Sequence, residues 1–438
     1  MRRFLCLAWF ALALTCGALG GGIAASLGLS TSSAAGLSPA FFDELSAKDR
    51  VATFEKIWHS IQDDYYDPDL NGVNWDEIHQ RYRPLLEIVT TDRDFYKLME
   101  RMAGELHDAH THVLEPYRAE NFKKQQHLSL GFSTDEFDGK LVITDVKTGS
   151  GAEQAGIVPG MSIESVDGKP LAERLAELAP ELPHSSSDRA SRMLMYAMAL
   201  GQADQPGSTA KLGLQRPDGS RFETTLTRSV DPLSGSVTAK LLPSGNVYMT
   251  FQVFYHPAAH EFRDALARFK NAPGVIIDLR RNPGGSGEEL ISIANNFFAA
   301  KTVFARNKLR TRDTRPTYVE NNGGPVYPGP VVILVSQHSG SSSELFAGGM
   351  QDTGRAKVVG TQTCGCVLGV NHPVELKGGG LVMISKVLWF TPSGRKLEGE
   401  GVIPDKVVTP TLSDIIAKRD PVLEAGDRLL KELLAAKR

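Results

Sequence analysis

Val331-Val332-Ile333-Leu334-Val335-Ser336-Gln337-His338-Ser339-Gly340-Ser341-Ser342-Ser343-Glu344 joins an unbroken apolar run to a small polar turn. A helix-like stretch, Leu345-Phe346-Ala347-Gly348-Gly349-Met350, follows. A continuous apolar run, as opposed to an alternating one, predicts a strand covered on both faces. Val275-Ile276-Ile277 is a second such run, and Asp278-Leu279-Arg280-Arg281-Asn282-Pro283-Gly284-Gly285 follows it. From about residue 245 strands therefore alternate with helices, as in an α/β domain whose site lies at the carboxyl ends of its strands. A serine at a strand-to-helix turn is exposed, and the helix it opens aims N–H groups at developing negative charge. Ser341 is thus a candidate nucleophile, although Ser341 with Glu344 also reads as a capping box that needs no chemistry.

Working outward, a chain of 438 residues with 41% hydrophobic and 23% charged residues is a folded, multidomain protein. Its 48 basic and 51 acidic residues give a net charge of -3, which argues against a nucleic-acid partner held by a basic surface. Nor does any Gly-rich phosphate loop point to a kinase, nucleotide or nicotinamide site. Residues 1–35 carry Arg2 and Arg3 before an apolar stretch, Phe4 to Leu19, and small residues beyond it. That is the pattern of a signal peptide or an N-terminal membrane anchor, placing the rest in the periplasm or outside the cell. Cys6 and Cys16 belong to this leader, so the folded part retains Cys364 and Cys366.

Residues 40–125 read as helical: Phe54, Ile57, Trp58 and Ile61 recur at helical spacing, as do Phe95, Leu98, Met99, Met102 and Leu106. Residues 126–231 change to short strands and turns, with Leu130-Gly131-Phe132 at a strand start and Gly151 to Asp167-Gly168 beyond. This segment resembles a PDZ domain, which implies that Leu130, Gly131 and Phe132 receive a peptide carboxylate while the peptide adds as a strand. Residues 232–415 then form the α/β core and 416–438 a C-terminal helix.

Four further motifs follow in order: the Asp278–Gly285 segment; Gln351-Asp352-Thr353-Gly354-Arg355 through Val359-Gly360; Phe390-Thr391-Pro392-Ser393-Gly394-Arg395; and Glu398-Gly399-Glu400-Gly401-Val402-Ile403-Pro404-Asp405. With the PDZ-like segment, they resemble the C-terminal processing (tail-specific) serine peptidase family, including its tricorn-like members. The resemblance runs from about residue 50 to 410. It implies an α/β multidomain fold: an N-terminal helical region, a PDZ β domain and a ClpP/crotonase-like core. It also implies a serine endopeptidase acting on proteins or peptides with free C-termini, with Ser341 as nucleophile and no cofactor or metal. The oligomeric state is left open. The other function class is a non-catalytic PDZ adaptor or ligand-binding pseudo-protease.

The chain departs from the tail-specific subgroup at one position. Cys366 stands where that subgroup has its lysine base, and neither Lys357 nor Lys386 matches the position. A thiol is a poor proton relay. The resemblance to tricorn-like members offers another base, because Leu106-His107-Asp108-Ala109-His110-Thr111 matches their histidine segment. It implies His110 as the base and Glu398 as the carboxylate that orients it, with activity falling through an imidazole pKa near 6.5 if unperturbed. His112 is the nearest rival. A neutral imidazole takes the serine proton and returns it to the leaving amine, and a carboxylate on the other ring nitrogen selects the tautomer. The oxyanion donors are expected from the N–H of Ser342 and from Gly284 or Gly285, whose missing Cβ admits a close approach. His107, His110 and His112 also have zinc-like spacing, without a supporting carboxylate motif. Cys364 and Cys366 read as packing residues, with a disulfide or free thiols as the alternatives.

Overall fold

The computed structural model describes residues 44–436, apart from 181, 183, 202–204 and 322. The leader expected over residues 1–35 lies outside these described residues. Among them, no helix is long and apolar enough to cross a membrane.

The N-terminal helices form where the periodicity placed them. Ser46 caps the helix Ala47–Asp64, which buries Phe54, Ile57, Trp58 and Ile61. Thr91 caps Asp92–Gly104, which buries Phe95, Leu98, Met99 and Met102. These helices do not close a core of their own. They pack against Leu368, Leu376, Val382, Ile384 and Leu388, from strands more than 250 residues downstream by chain order. The strand His112–Leu114 pairs antiparallel with Leu381–Met383. The first helical region and the end of the core are therefore one packing unit, and the segment carrying His110 lies at their junction.

The middle region is entered and left through one antiparallel pair, Gln126–Ser129 with Ser229–Pro232. Inside it, a sheet runs in the order Phe132–Phe137, Lys140–Val146, Ser162–Val166, Thr209–Gln215, Arg221–Thr227. Phe132–Phe137 is an end strand, paired on one side only. The helix Asp188–Ala199 supplies Met193 and Tyr196 to the cleft beside that strand.

The core is a six-stranded sheet ordered Val237–Leu241, Val247–Phe251, Val275–Asp278, Val331–Val335, Ala356–Gly360, Lys406–Val407. The first pair is antiparallel and the others parallel, with Val247, Val275, Val331 and Ala356 in register. Val331 to Val335 are each at most 1% exposed, so this strand is covered on both faces, as its unbroken apolar run requires. One face packs on Phe262, Phe297 and Phe346. On the other, Ile276, Val332 and Leu334 pack on the C-terminal helix Pro421–Ala435 through Val422, Ala425 and Leu430. Polar turns leave the carboxyl ends of Val275–Asp278 and Val331–Val335 side by side, and the chemistry-bearing residues lie there.

Candidate active site

Ser341 is the N-cap of the helix Ser342–Asp352 and has φ 52° and ψ -118°. Left-handed backbone at a non-glycine residue is strained by roughly 1–3 kcal/mol and persists only where its surroundings hold it. Here Ser341 N–H donates to the carbonyl of Cys366 at 2.8 Å and to Glu344 Oε2 at 3.1 Å. The second bond is the return half of the capping box expected from Ser341 and Glu344. The other half is loose, since no hydrogen bond of normal geometry ties the Ser341 hydroxyl to the helix. The box and a half-buried candidate nucleophile thus coexist, with Glu344 holding the Ser341 backbone.

Glu344 is fully buried. Its Oε1 accepts from Thr363 Oγ1 at 2.5 Å and Gly365 N–H at 2.7 Å, and its Oε2 also accepts from Cys366 N–H at 2.9 Å. Burial pushes its pKa up to about 7 against the pull of these donors. The nucleophile turn is also stitched to the segment after Val275–Asp278. Ser339 Oγ donates to the Leu279 carbonyl at 2.7 Å, Ser343 Oγ to the Asn282 carbonyl at 2.8 Å, and Ser342 Oγ to the Gly285 carbonyl at 2.8 Å.

That stitching brings the two expected sources of oxyanion donors together. A Cβ on Gly284, where φ is +112°, would fall 2.7 Å from Ser341 Cβ and 2.9 Å from Ser342 N. Gly284 is therefore needed for the close approach, but its N–H is already committed to Asn282 Oδ1 at 2.9 Å. Among the described residues, the N–H groups of Ser342 and Gly285 carry no such hydrogen bond.

His110 and Ser341 line one cleft of about 1060 Å³, together with Pro283, Gly340, Cys364 and Cys366. His110 is carried by a turn that Asp108 organises: Asp108 Oδ1 accepts from the N–H of His110 and of Thr111, both at 2.7 Å, and from Ser385 Oγ at 2.9 Å. Burial lowers the His110 pKa to about 4; Asp108 opposes the shift and His112 adds to it. The ring is therefore neutral at pH 7, and its acid transition lies well below the unperturbed value expected from sequence. Its Nδ1 is buried and bonded to nothing, and the same holds for Asp108 Oδ2.

Glu398 is buried, and its Oε2 accepts from Val367 N–H at 2.6 Å. Burial raises its pKa to about 7, with Ser186 and Val367 opposing the shift and Asp108 and Glu344 adding to it. No hydrogen bond joins Glu398 to His110. The carboxylate that acts on the imidazole is Asp108, two residues away, and Glu398 feels the same charge. Asp108 stood inside the quoted motif without a role, so its signal was present. Ser186, whose Oγ accepts from Ala109 N–H at 2.8 Å, had no such signal.

The remaining candidates separate cleanly. His112 Nδ1 pairs with Glu100 at 2.8 Å and its Nε2 with the Ala109 carbonyl at 3.0 Å, while His107 faces the His184 carbonyl at 3.4 Å. The three histidines thus serve different partners instead of converging on one ion. Lys357 and Lys386 are paired with Asp405 at 2.7 Å and Asp64 at 2.6 Å, and neither lines the cleft. Cys364 and Cys366 are joined in a disulfide, which corrects the reading of them as simple packing residues. Leu130, Gly131 and Phe132 line the same cleft as Ser341. Gly131 has φ +83°, and its N–H donates to Ser129 Oγ at 2.9 Å.

Fold and site together define a serine-type peptidase. Residues 246–408 match peptidase family S41, and residues 46–104 match the tricorn protease C1 domain. The carboxyl-terminal-processing protease of Synechocystis sp. is 29% identical over 393 residues, covering 85% of each chain. Carboxyl-terminal-processing peptidase 3, chloroplastic, of Arabidopsis thaliana is 25% identical over 396 residues, covering 85% of this chain and 73% of its own. Among solved structures, the photosystem II D1 C-terminal processing protease aligns over 87% of this chain and 97% of its own, with TM-score 0.57 and 22% identity. Mature CPAF aligns over 88% and 97%, with TM-score 0.66 and 16% identity. These two likenesses concern the fold. The chain thus carries a peptidase family S41 domain over residues 246–408.

Proposed function

We propose that this chain is a C-terminal processing endopeptidase of exported proteins, with Ser341 as nucleophile and His110 as general base. The reading rests on one observation above all. The one-sided strand Phe132–Phe137 and the helix Asp188–Ala199 line the same cleft as Ser341 and His110. A peptide added to that strand edge, in the manner of a PDZ ligand, runs within one cavity to the nucleophile.

In the proposed step His110 takes the Ser341 hydroxyl proton as Oγ attacks the scissile carbonyl. The N–H groups of Ser342 and Gly285 receive the oxyanion, while Gly284 supplies the closeness. The imidazolium is stabilised by Asp108, whose charge also acts on the buried Glu398. His110 then returns the proton to the leaving amine, and water repeats the cycle on the acyl-enzyme. The core is read as ClpP/crotonase-like and residues 126–231 as the PDZ domain. The leader is read as an export signal or anchor.

A fluorophosphonate probe tests the nucleophile directly. It should label the full-length protein at Ser341, and labelling should vanish in Ser341→Ala. A probe-inert wild type would favour the non-catalytic binder instead.

A further inference from the structure

We propose that Cys364–Cys366 is a thiol–disulfide exchange site, and that its redox state decides whether Ser341 is held in the attacking conformation. This rests on the peptidase reading above and goes beyond it. The two cysteines enclose a single residue, Gly365, and line the cleft beside Ser341. A cross-link that closes so short a loop removes little entropy from the unfolded chain, so its effect on global stability is small. Its consequence is local, in the shape of the turn between Thr363 and Val367.

That turn is bonded to the Ser341 backbone and to both buried glutamates of the candidate site. The Cys366 carbonyl accepts the Ser341 N–H, and Cys366 and Gly365 donate to Glu344, which holds the same Ser341 N–H. Cys364 N–H donates to the Ser339 carbonyl at 3.1 Å. The next residue, Val367, donates to Glu398. On the other side, Ser187 Oγ donates to the Cys364 carbonyl at 2.5 Å and Arg189 Nε to the Thr363 carbonyl at 2.7 Å. Gly365 sits at φ +77°, where a Cβ would meet the Gly399 backbone at 2.9 Å, so the turn has one narrow way to fit. The disulfide pins that conformation. Opening it frees the Cys366 carbonyl from its fixed aim, and the strained Ser341 backbone loses the acceptor that keeps it in the left-handed region.

The ligand is a dithiol, whether a small molecule entering the cleft or the paired cysteines of a protein reductant. Its first thiolate attacks one sulfur and forms a mixed disulfide, releasing the other cysteine as a thiolate that takes a proton. Its second thiolate then attacks the mixed disulfide. Two electrons and two protons reach Cys364 and Cys366, and the dithiol leaves as a disulfide.

The test equilibrates the full-length protein with graded ratios of reduced to oxidised dithiothreitol. Peptide hydrolysis, thiol alkylation at Cys364 and Cys366 by peptide mass, and amide exchange over residues 339–344 are read in parallel. Activity should fall at least tenfold as the pair is alkylated, return on reoxidation, and be uniformly low and thiol-insensitive in Cys364→Ser/Cys366→Ser. Exchange at Ser341 should rise in step. Unchanged hydrolysis with both cysteines alkylated would overturn the proposal while leaving the peptidase reading intact. Should neither state hydrolyse peptide, the peptidase reading fails. The exchange data then decide the redox site, with unchanged protection of residues 339–344 counting against it. Should the double variant not fold, reversibility in the wild type decides alone.

Discussion

Ser341 and His110 line the same cleft from opposite ends of the chain, and the protein holds them in opposite ways. The serine turn is tied down: its N–H has two acceptors, its neighbouring serines bind the adjacent loop, and Glu344 behind it is saturated with donors. The histidine turn is held through its backbone, while the ring Nδ1 and Asp108 Oδ2 keep unspent hydrogen-bonding capacity. The contrast separates preorganisation from poise. On the proposed reading the nucleophile and oxyanion donors are built in advance, and the base completes its hydrogen bonds once substrate is bound. Apo geometry at a general base commonly tightens in this way.

The strongest challenge to that contrast is Ser341→Ala. Hydrolysis of a peptide substrate should drop on the order of 10⁴–10⁶-fold, with the thermal midpoint unchanged or slightly lowered, since alanine is a poorer N-cap than serine while the backbone bond to Glu344 remains. Turnover within tenfold of wild type would place the nucleophile elsewhere. His110→Ala should cost on the order of 10²–10⁴-fold in kcat with little change in KM. His112→Ala, whose ring is occupied by Glu100 and Ala109, is the matched control. A larger loss at His112 than at His110 would reverse the assignment.

Asp108→Asn sharpens the electrostatic side of the comparison. The asparagine oxygen still accepts from the turn, but the charge that favours the imidazolium is gone, so the His110 pKa falls below about 4. Turnover should drop on the order of ten- to hundredfold, and the acid limb of the kcat/KM profile governed by His110 should move to lower pH. Glu398→Gln removes the second buried carboxyl, whose pKa is about 7. Because that folded value lies above its unfolded one, Glu398 contributes stability below about pH 4.5 that is lost as pH rises through 7. Urea midpoints of wild type and Glu398→Gln should therefore diverge across that window, and parallel curves would deny the buried environment. The smallest effect concerns delivery. Amidating the C-terminus of a peptide substrate should raise KM about tenfold, the worth of one charge-assisted contact, and leave kcat nearly unchanged.

Much of this is legible in the sequence. The run Val331 to Val335 is covered on both faces because nothing polar interrupts it. Ser341 opens a helix because small polar residues follow a buried strand, and glycines at 284 and 285 announce a close approach. His110 needed the resemblance as well, since a lone histidine after a helix has no local signature. The pairing of Glu398 with His110, implied by the resemblance alone, is not the arrangement observed; the geometry brings forward Asp108, which already lay in the motif.

Local pattern determined which segments are strands, which serine opens a helix and where the chain turns, because those follow from short-range sterics and from which side chains escape water. Only the tertiary structure decided which groups meet. The N-terminal helices complete their core on strands near residue 380, the Asp108 turn reaches Ser385, and the Cys364–Cys366 turn holds Ser341 through backbone groups whose chemistry is the same at every residue. A peptide carbonyl carries no side-chain label, and burial shifts a pKa through all the atoms around it. The hold on Ser341 and the acidity of His110 therefore arise from the packed arrangement rather than from any motif.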